Sequence, residues 1–265
     1  MASSATFAFA TIIVGVIVGV LITRAHRLQR QSAHIDDVGD DVGAGAHIAD
    51  HGGRVDLALF RDGDLARALA APASLAKRSF DIAAAISLLA FLAPVLALTA
   101  IAIKLDSRGP VLYRQRRVGY RGEEFEIYKF RSMIENAERN GACWARARDK
   151  RITRVGNIIR KTRIDEIPQA INILRGEMSF VGPRPERPEF VTLLEREIPR
   201  YHDRHIVKPG ITGWAQVKYI YTASVEGARE KLAYDLYYIK RFSLLLDVYI
   251  IMKTIRVALL GVGSR

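Results

Sequence analysis

Asp165 and Glu166 stand side by side within Arg160-Lys-Thr-Arg-Ile-Asp-Glu-Ile-Pro-Gln169, with Arg160 and Arg163 close by. Val181-Gly-Pro-Arg-Pro185 follows, placing Arg184 between two prolines. Acid beside base in a cationic chain points to chemistry on a phosphate. Ile167, Ala170, Ile171 and Leu174 recur at helical spacing, so Asp165 falls near a predicted N-cap with Pro168 in the first turn. A capping aspartate is the commonest explanation of such a residue. The second carboxylate and the arginines around it weigh against capping as the whole explanation. A carboxylate beside fixed cations and a helix N-terminus stays ionised at neutral pH. An ionised Asp can hold Mg²⁺ or attack phosphorus to give an acyl phosphate. At Arg184, flanking prolines fix φ and reduce the entropy lost on holding the guanidinium still, which suits bidentate phosphate contact. A surface arginine in a turn is the plain alternative.

A second set of donors precedes the pair. Val111-Leu-Tyr-Arg-Gln-Arg-Arg117 and Glu124-Phe-Glu-Ile-Tyr128 read as a hairpin about a turn with Gly119 and Gly122. Arg114, Gln115, Arg116, Arg117, Lys129 and Arg131 form a dense cluster along it. Such a cluster is either a solvated face or a diphosphate cradle. His202 and His205 lie three apart with no evident third ligand, which argues against a metal there.

The elements that must carry these residues are partly membrane-like. The chain has 265 residues, 49% hydrophobic, with a net charge of +12. That allows one good core with appendages and implies anionic partners. Lys104 to Arg265 holds 32 Lys+Arg against 19 Asp+Glu, a balance of +13, so the basic character belongs to the C-terminal part. Cys143 is the one cysteine; no intrachain disulfide or multi-cysteine zinc site can form, and a small buried residue is its simplest reading.

Ala5 to Ile22 is apolar and uncharged, with Arg24, His26, Arg27 and Arg30 after it. The charge order argues against a cleavable signal and favours a single N-terminal transmembrane anchor with the remainder in the cytoplasm, a helix that only dips into the membrane being the alternative. We assign residues 1–30 to this anchor. Residues 31–76, rich in Ala, Gly and Asp, read as a cytoplasmic linker. Ile82 to Ile103 is a second uncharged run with Pro94 at its centre and basic residues on both sides. Spanning would carry the +13 portion outside, against the positive-inside tendency. A helix kinked at Pro94 that enters and leaves on one face reconciles these facts; an ordinary kinked transmembrane helix stays open on the residues alone. Tyr234, Asp235, Tyr237 and Tyr238 suggest an amphipathic packing helix. Phe242 to Leu260, interrupted by Asp247, Lys253 and Arg256, suits an interfacial helix.

From Lys77 to the C-terminus the chain resembles the bacterial sugar transferases, the monotopic polyprenyl-phosphate glycosyl-1-phosphate transferases. The resemblance rests on Lys77-Arg-Ser-Phe-Asp-Ile82, Arg108-Gly-Pro-Val-Leu-Tyr-Arg-Gln-Arg-Arg-Val-Gly119, Tyr128-Lys-Phe-Arg-Ser-Met133 and Arg160 to Gln169. It continues through Gly176-Glu-Met-Ser-Phe-Val-Gly-Pro-Arg-Pro185, Lys208-Pro-Gly-Ile-Thr-Gly-Trp-Ala-Gln-Val217 and Tyr234-Asp-Leu-Tyr-Tyr-Ile239. These seven ordered blocks span about seventy per cent of the chain. The likeness is greatest to exopolysaccharide-type initiating enzymes, which usually carry a longer N-terminal region.

The resemblance implies an α+β, helix-rich, membrane-associated fold with a re-entrant helix over 82–103 broken at Pro94, a small hairpin and interfacial amphipathic helices. The catalytic domain would be 77–265. The implied reaction moves a sugar-1-phosphate from a UDP-sugar to polyprenyl (undecaprenyl) phosphate and releases UMP, with Mg²⁺ as cofactor. Asp165 would be the nucleophile, with Glu166 beside it, and the two would hold the metal. Lys77 and Arg78 would lie near the acceptor's phosphate at the membrane edge. Arg160 and Arg184 would hold phosphates, and Gln115, Arg116, Lys129 and Arg131 complete the substrate-binding set. The implied location is the cytoplasmic face of the bacterial inner membrane. Expected partners are the donor, the lipid acceptor and the bilayer, and not nucleic acid; a homo-oligomer or other polysaccharide-assembly proteins stay open. This chain departs from relatives in having Ala93 before Pro94 and Lys218-Tyr-Ile-Tyr221 after Val217, so the sugar does not carry over. Two rivals use the same charge differently. A membrane-anchored nucleic-acid-binding protein would need neither Asp165 nor Glu166, and a non-catalytic assembly scaffold would tolerate their loss.

Overall fold

In a computed structural model of the chain, residues 75–135, 137, 149–218 and 224–260 are described. The expected anchor (1–30), nearly all of the linker (31–76), Cys143 and residues 219–221 lie outside them. The first element is a long helix, α1 (Leu75–Asp106). It starts earlier and ends later than the apolar run, because polar residues at both ends dock onto the rest of the fold. Asp81 Oδ1 accepts from the Phe180 amide (3.1 Å) and the Ser179 hydroxyl (3.2 Å). At the other end Asp106 Oδ2 accepts from the Val155 amide (3.0 Å). Pro94 lies inside α1, with helical residues on both sides of it. Proline removes one hydrogen bond and crowds the carbonyl four residues back, which bends a helix without having to end it.

One face of α1 packs toward each of its two ends, and from Ile86 to Leu98 no residue is buried. Ala85, Leu88 and Leu89 join Ile127, Ala170, Ile173 and Met178, and Leu96, Ala100 and Ile103 join Phe130 and Ile159. The other face is bare, with Ile86, Phe91, Leu98 and Ile101 more than half exposed. α1 is the one helix among the described residues long and apolar enough to cross a membrane.

The hairpin forms where expected, with β1 (Leu112–Val118) antiparallel to β2 (Glu124–Phe130) and Tyr113 opposite Lys129. Helix α2 (Arg154–Lys161) is capped by Thr153, whose hydroxyl accepts from the Gly156 amide (2.9 Å). A 3₁₀ segment (Ile164–Gln169) then leads into α3 (Ala170–Arg175). β3 (Ser179–Val181) pairs in parallel with β4 (Gly210–Thr212). Gly182 and Gly210 allow this approach, since a Cβ on either would overlap the backbone of the other segment. Between them lie α4 (Pro188–Glu197) and a 3₁₀ segment (Tyr201–Ile206). After β4 come α5 (Trp214–Lys218), α6 (Val225–Lys240) and α7 (Leu244–Leu260). The largest core joins Val181, Leu194, Ile198 and Trp214 to Leu232, Leu236, Tyr238 and Ile250. Tyr238 thus packs, as the sequence suggested, and its hydroxyl donates to Asp247 Oδ1 (2.7 Å).

Candidate active site

Asp165 is not an N-cap. The cap position belongs to Arg163, whose φ of 59° is left-handed, and Asp165 sits inside the 3₁₀ turn that follows. Pro168 explains the difference: it lacks an N–H and restricts Ile167, so regular α bonding begins only at Ala170. This turn packs against β2, and the two carboxylates meet different surroundings.

Glu166 is 8% exposed and fully engaged. Lys129 Nζ donates to its Oε1 (2.9 Å), and Arg184 donates through Nη2 to Oε1 (2.5 Å) and Nη1 to Oε2 (3.3 Å). Burial opposes its charge, but Arg184 and Lys129 overcome this and hold the carboxyl well below its ordinary range. Asp165 is left over: its Oδ1 is buried with no hydrogen-bond partner among the described residues. Burial, then the Glu166 charge, push its carboxyl up to about 6, while Lys129, Arg160 and Arg184 pull the other way. The sequence pointed to the neighbouring cations as the dominant influence on this carboxylate; burial and Glu166 outweigh them, which leaves it ionised at neutral pH by a narrow margin. Glu166 has taken the direct contacts.

The predicted donors divide by strand parity. Lys129 lies opposite Tyr113, so Gln115 and Arg117 share its face of the hairpin, while Arg114 and Arg116 point away. Arg116 does not join the others; its side chain is 77% exposed and 3.7 Å from Glu124 on the same outer face. Arg117, which the sequence reading did not single out as a site residue, does join. It donates to the Pro185 carbonyl (3.3 Å) and to Gln115 Oε1 (2.5 Å) and lies 3.7 Å from Glu186. Its legible signal was the alternation from Lys129.

Three other candidates have structural partners. Arg131 is buried and donates to the carbonyls of Arg108 and Ser107 and to the Ser107 hydroxyl, closing the end of α1. Lys77 is 6% exposed between Asp81 (3.0 Å) and Asp247 (2.7 Å), rather than open at an edge. Arg78 donates to the carbonyls of Ile173 (2.6 Å) and Leu174 (3.0 Å) at the far end of α3. Arg160 ends α2 and is near enough for its charge to act on Asp165. Arg204 carried no local signal at all; it donates to the Arg184 carbonyl (2.9 Å) and to Asp235 (2.7 Å).

This arrangement, an unpartnered carboxylate under a canopy of fixed cations, suits attack on a phosphate. The sequence profile of the bacterial sugar transferases matches residues 72–261. The chain belongs to that family. Among its relatives, the UDP-N-acetylgalactosamine-undecaprenyl-phosphate N-acetylgalactosaminephosphotransferase of Aeromonas hydrophila is 50% identical over 214 residues, 80% of this chain and 51% of that protein. The exopolysaccharide production protein PSS of Rhizobium leguminosarum bv. phaseoli is 43% identical over 185 residues, 68% of this chain and 92% of that protein. The UDP-glucose:undecaprenyl-phosphate glucose-1-phosphate transferase of Escherichia coli K12 is 42% identical over 183 residues, 68% of this chain and 39% of that protein. The sugar transferase therefore spans about half the length of the Aeromonas relative, and less of the Escherichia one.

Among the described residues of the sugar transferase, no group of three His, Cys, Asp or Glu side chains converges on one point. Mg²⁺ does not require one: it is commonly held by one or two carboxylates with substrate phosphates completing its shell. The buried, unpartnered Oδ1 of Asp165 fits such a ligand. Glu166 would have to release Arg184 or Lys129 to become a second.

Proposed function

We propose that this sugar transferase moves a sugar-1-phosphate from a UDP-sugar to undecaprenyl phosphate, releasing UMP and initiating exopolysaccharide or related glycoconjugate synthesis. The observation that carries the reading is the unequal pair: Glu166 anchors the cations and leaves Asp165 unpartnered. A carboxylate oxygen of Asp165 attacks the phosphorus bearing the sugar, the bond to the UMP oxygen breaks, and UMP leaves. An oxygen of the lipid phosphate then attacks the same phosphorus, and the Asp165–phosphorus bond breaks to return the free carboxylate. Two displacements predict ping-pong kinetics and net retention at phosphorus. Arg184 and Lys129, already fixed by Glu166, need little reorganisation to meet the donor's phosphates. Arg160 adds positive charge from α2. Mg²⁺, held by Asp165 with the diphosphate oxygens, would offset the charge that otherwise repels an anionic nucleophile.

The membrane reading is re-entrant. A straight helix of α1's length extends about 48 Å, yet both its ends pack on the same unit while its middle stays unburied. A span through the bilayer would put those two packed ends on opposite sides of it. A helix dipping from the cytoplasmic side leaves the site at the surface where a lipid phosphate lies. The bare apolar face of α1 and the exposed Leu244, Leu245, Met252 and Ile255 of α7 would contact lipid. The N-terminal anchor and the inner-membrane location belong to the same proposal.

The test uses the full chain with a panel of UDP-sugars, undecaprenyl phosphate and Mg²⁺. Wild-type protein is expected to release UMP, and without acceptor to retain labelled phosphosugar covalently. Asp165→Asn is expected to lose both, by on the order of a thousandfold or more. Equal UMP release from the variant would refute the mechanism. The panel would also name the sugar.

A further inference from the structure

A cavity of about 350 Å³ opens beside the start of α1, walled by Leu75, Val181, Val207 and Phe242 and carrying the cations Arg78 and Lys208. It lies at the C-terminal end of α3, where Arg78 holds the last carbonyls, whereas Asp165 precedes that helix. It is therefore a separate place from the dyad.

The acidic groups around the cavity are already matched. Asp81 pairs with Lys77 and accepts from Ser179 and Phe180; Asp247 pairs with Lys77 and accepts from Tyr238. Arg78 is occupied on the α3 side only. Lys208 Nζ makes no hydrogen bond or ion pair among the described residues. The two cations nevertheless converge. A Cβ placed on Gly176 would lie 3.7 Å from Arg78 Nη2 and 3.8 Å from Lys208 Nζ. The two nitrogens are thus at most 7.5 Å apart, the sum of those distances. Burial and the Arg78 charge both disfavour the Lys208 ammonium, and Asp81 offsets only part of this.

Like charges held together beside apolar walls call for an anion with an apolar body. A phosphate accepting from both cations at about 2.8 Å bridges such a gap. The mouth is flanked by exposed Leu75, and Leu244 and Leu245 follow Phe242 with about two-fifths of their surface bare. Free phosphate has no use for these walls; a lipid does.

We propose that the cavity between Arg78 and Lys208 binds the phosphate of an anionic membrane lipid, as a site distinct from the one at Asp165. The inference rests on the membrane reading above but not on the transfer reaction. A bound lipid there would tie the start of α1, the end of α3 and β4 to the bilayer surface, fixing the depth of the helix.

The test is thermal unfolding of the full chain in neutral detergent micelles without sugar nucleotide. Phosphatidylglycerol, phosphatidylcholine or inorganic phosphate is added to wild type, Lys208→Met and Lys208→Arg. Methionine keeps the apolar stem of lysine and removes its charge. Phosphatidylglycerol is expected to raise the Tm of wild type and Lys208→Arg in a concentration-dependent way. Lys208→Met is expected to need at least tenfold more of it. Equal responses in Lys208→Met and wild type, or equal effects of phosphatidylcholine, would overturn the proposal. An equal effect of inorganic phosphate would replace the lipid with a free anion. Should Lys208→Met fail to fold, native mass spectrometry of wild type still decides, because preferential retention of phosphatidylcholine would sink the idea. Transfer activity is assayed separately, so failure here leaves the reaction standing, and failure of the reaction leaves this site standing.

Discussion

Arg204 Nη2 lies 2.9 Å from the backbone carbonyl of Arg184, so one buried arginine fixes the main chain of another. Arg204 is 2% exposed, pairs with Asp235 (2.7 Å) and donates to the Tyr201 hydroxyl (2.5 Å). Its planar fork meets three acceptors that a lysine could not serve together. Arg204→Lys is expected to fold but to raise the donor KM on the order of tenfold, about 1.4 kcal/mol, with a smaller change in kcat. Arg204→Met strands Asp235 and should cost about 3–5 kcal/mol of stability. Urea titrations and initial rates check both, and an unchanged KM in Arg204→Lys would remove its positioning role.

Glu166→Gln removes the counter-charge of Arg184 and Lys129. It also removes the neighbouring charge that helps to push Asp165 up. The acidic limb of phosphosugar trapping is therefore expected to move to lower pH, even as the trapping rate falls by about 10²-fold. A limb that stays in place would show that Glu166 does not control Asp165.

Asp165, pushed up to about 6 against an ordinary 3.8, gives two opposite pH effects. Attack needs the carboxylate, so kcat/KM should fall tenfold per pH unit below about 6 and level off above it. Stability runs the other way. The protonated form is the one the fold favours, so its contribution is present below about pH 4 and is lost as pH rises through about 6. Asp165→Asn stays neutral and should be more stable than wild type at pH 7, on the order of 1 kcal/mol, but not at pH 4. Melting curves at the two pH values test this; a variant less stable than wild type at pH 7 would contradict it.

Arg116 and Arg117 are adjacent in sequence and on opposite faces of the hairpin. Arg117→Gln should raise the donor KM at least several-fold by loosening the Pro185 carbonyl beside Arg184. Arg116→Gln should leave the kinetics within about twofold, as expected of an exposed surface pair. Steady-state kinetics separate them, and equal losses would mean that strand parity does not sort the donors.

Much of this was legible in the sequence because it depends on local chemistry. A long uncharged apolar run marked the long helix, turn glycines marked the hairpin, and ordered motifs marked the family. Adjacency alone identified Asp165 and Glu166 as a pair. It could not divide their roles, because that depends on Lys129, 37 residues away, and Arg184, 18 residues away, both choosing Glu166. Local spacing suggested a helix cap, and Pro168 turned that segment into a 3₁₀ turn instead. Arginine counts likewise could not tell Arg131, drawn onto the end of α1, from Arg117, turned toward the Arg184 loop. Which residues form a charged cluster is written along the chain. Which of them remain unpartnered is decided by burial and by partners brought from distant segments, and in this protein that left Asp165.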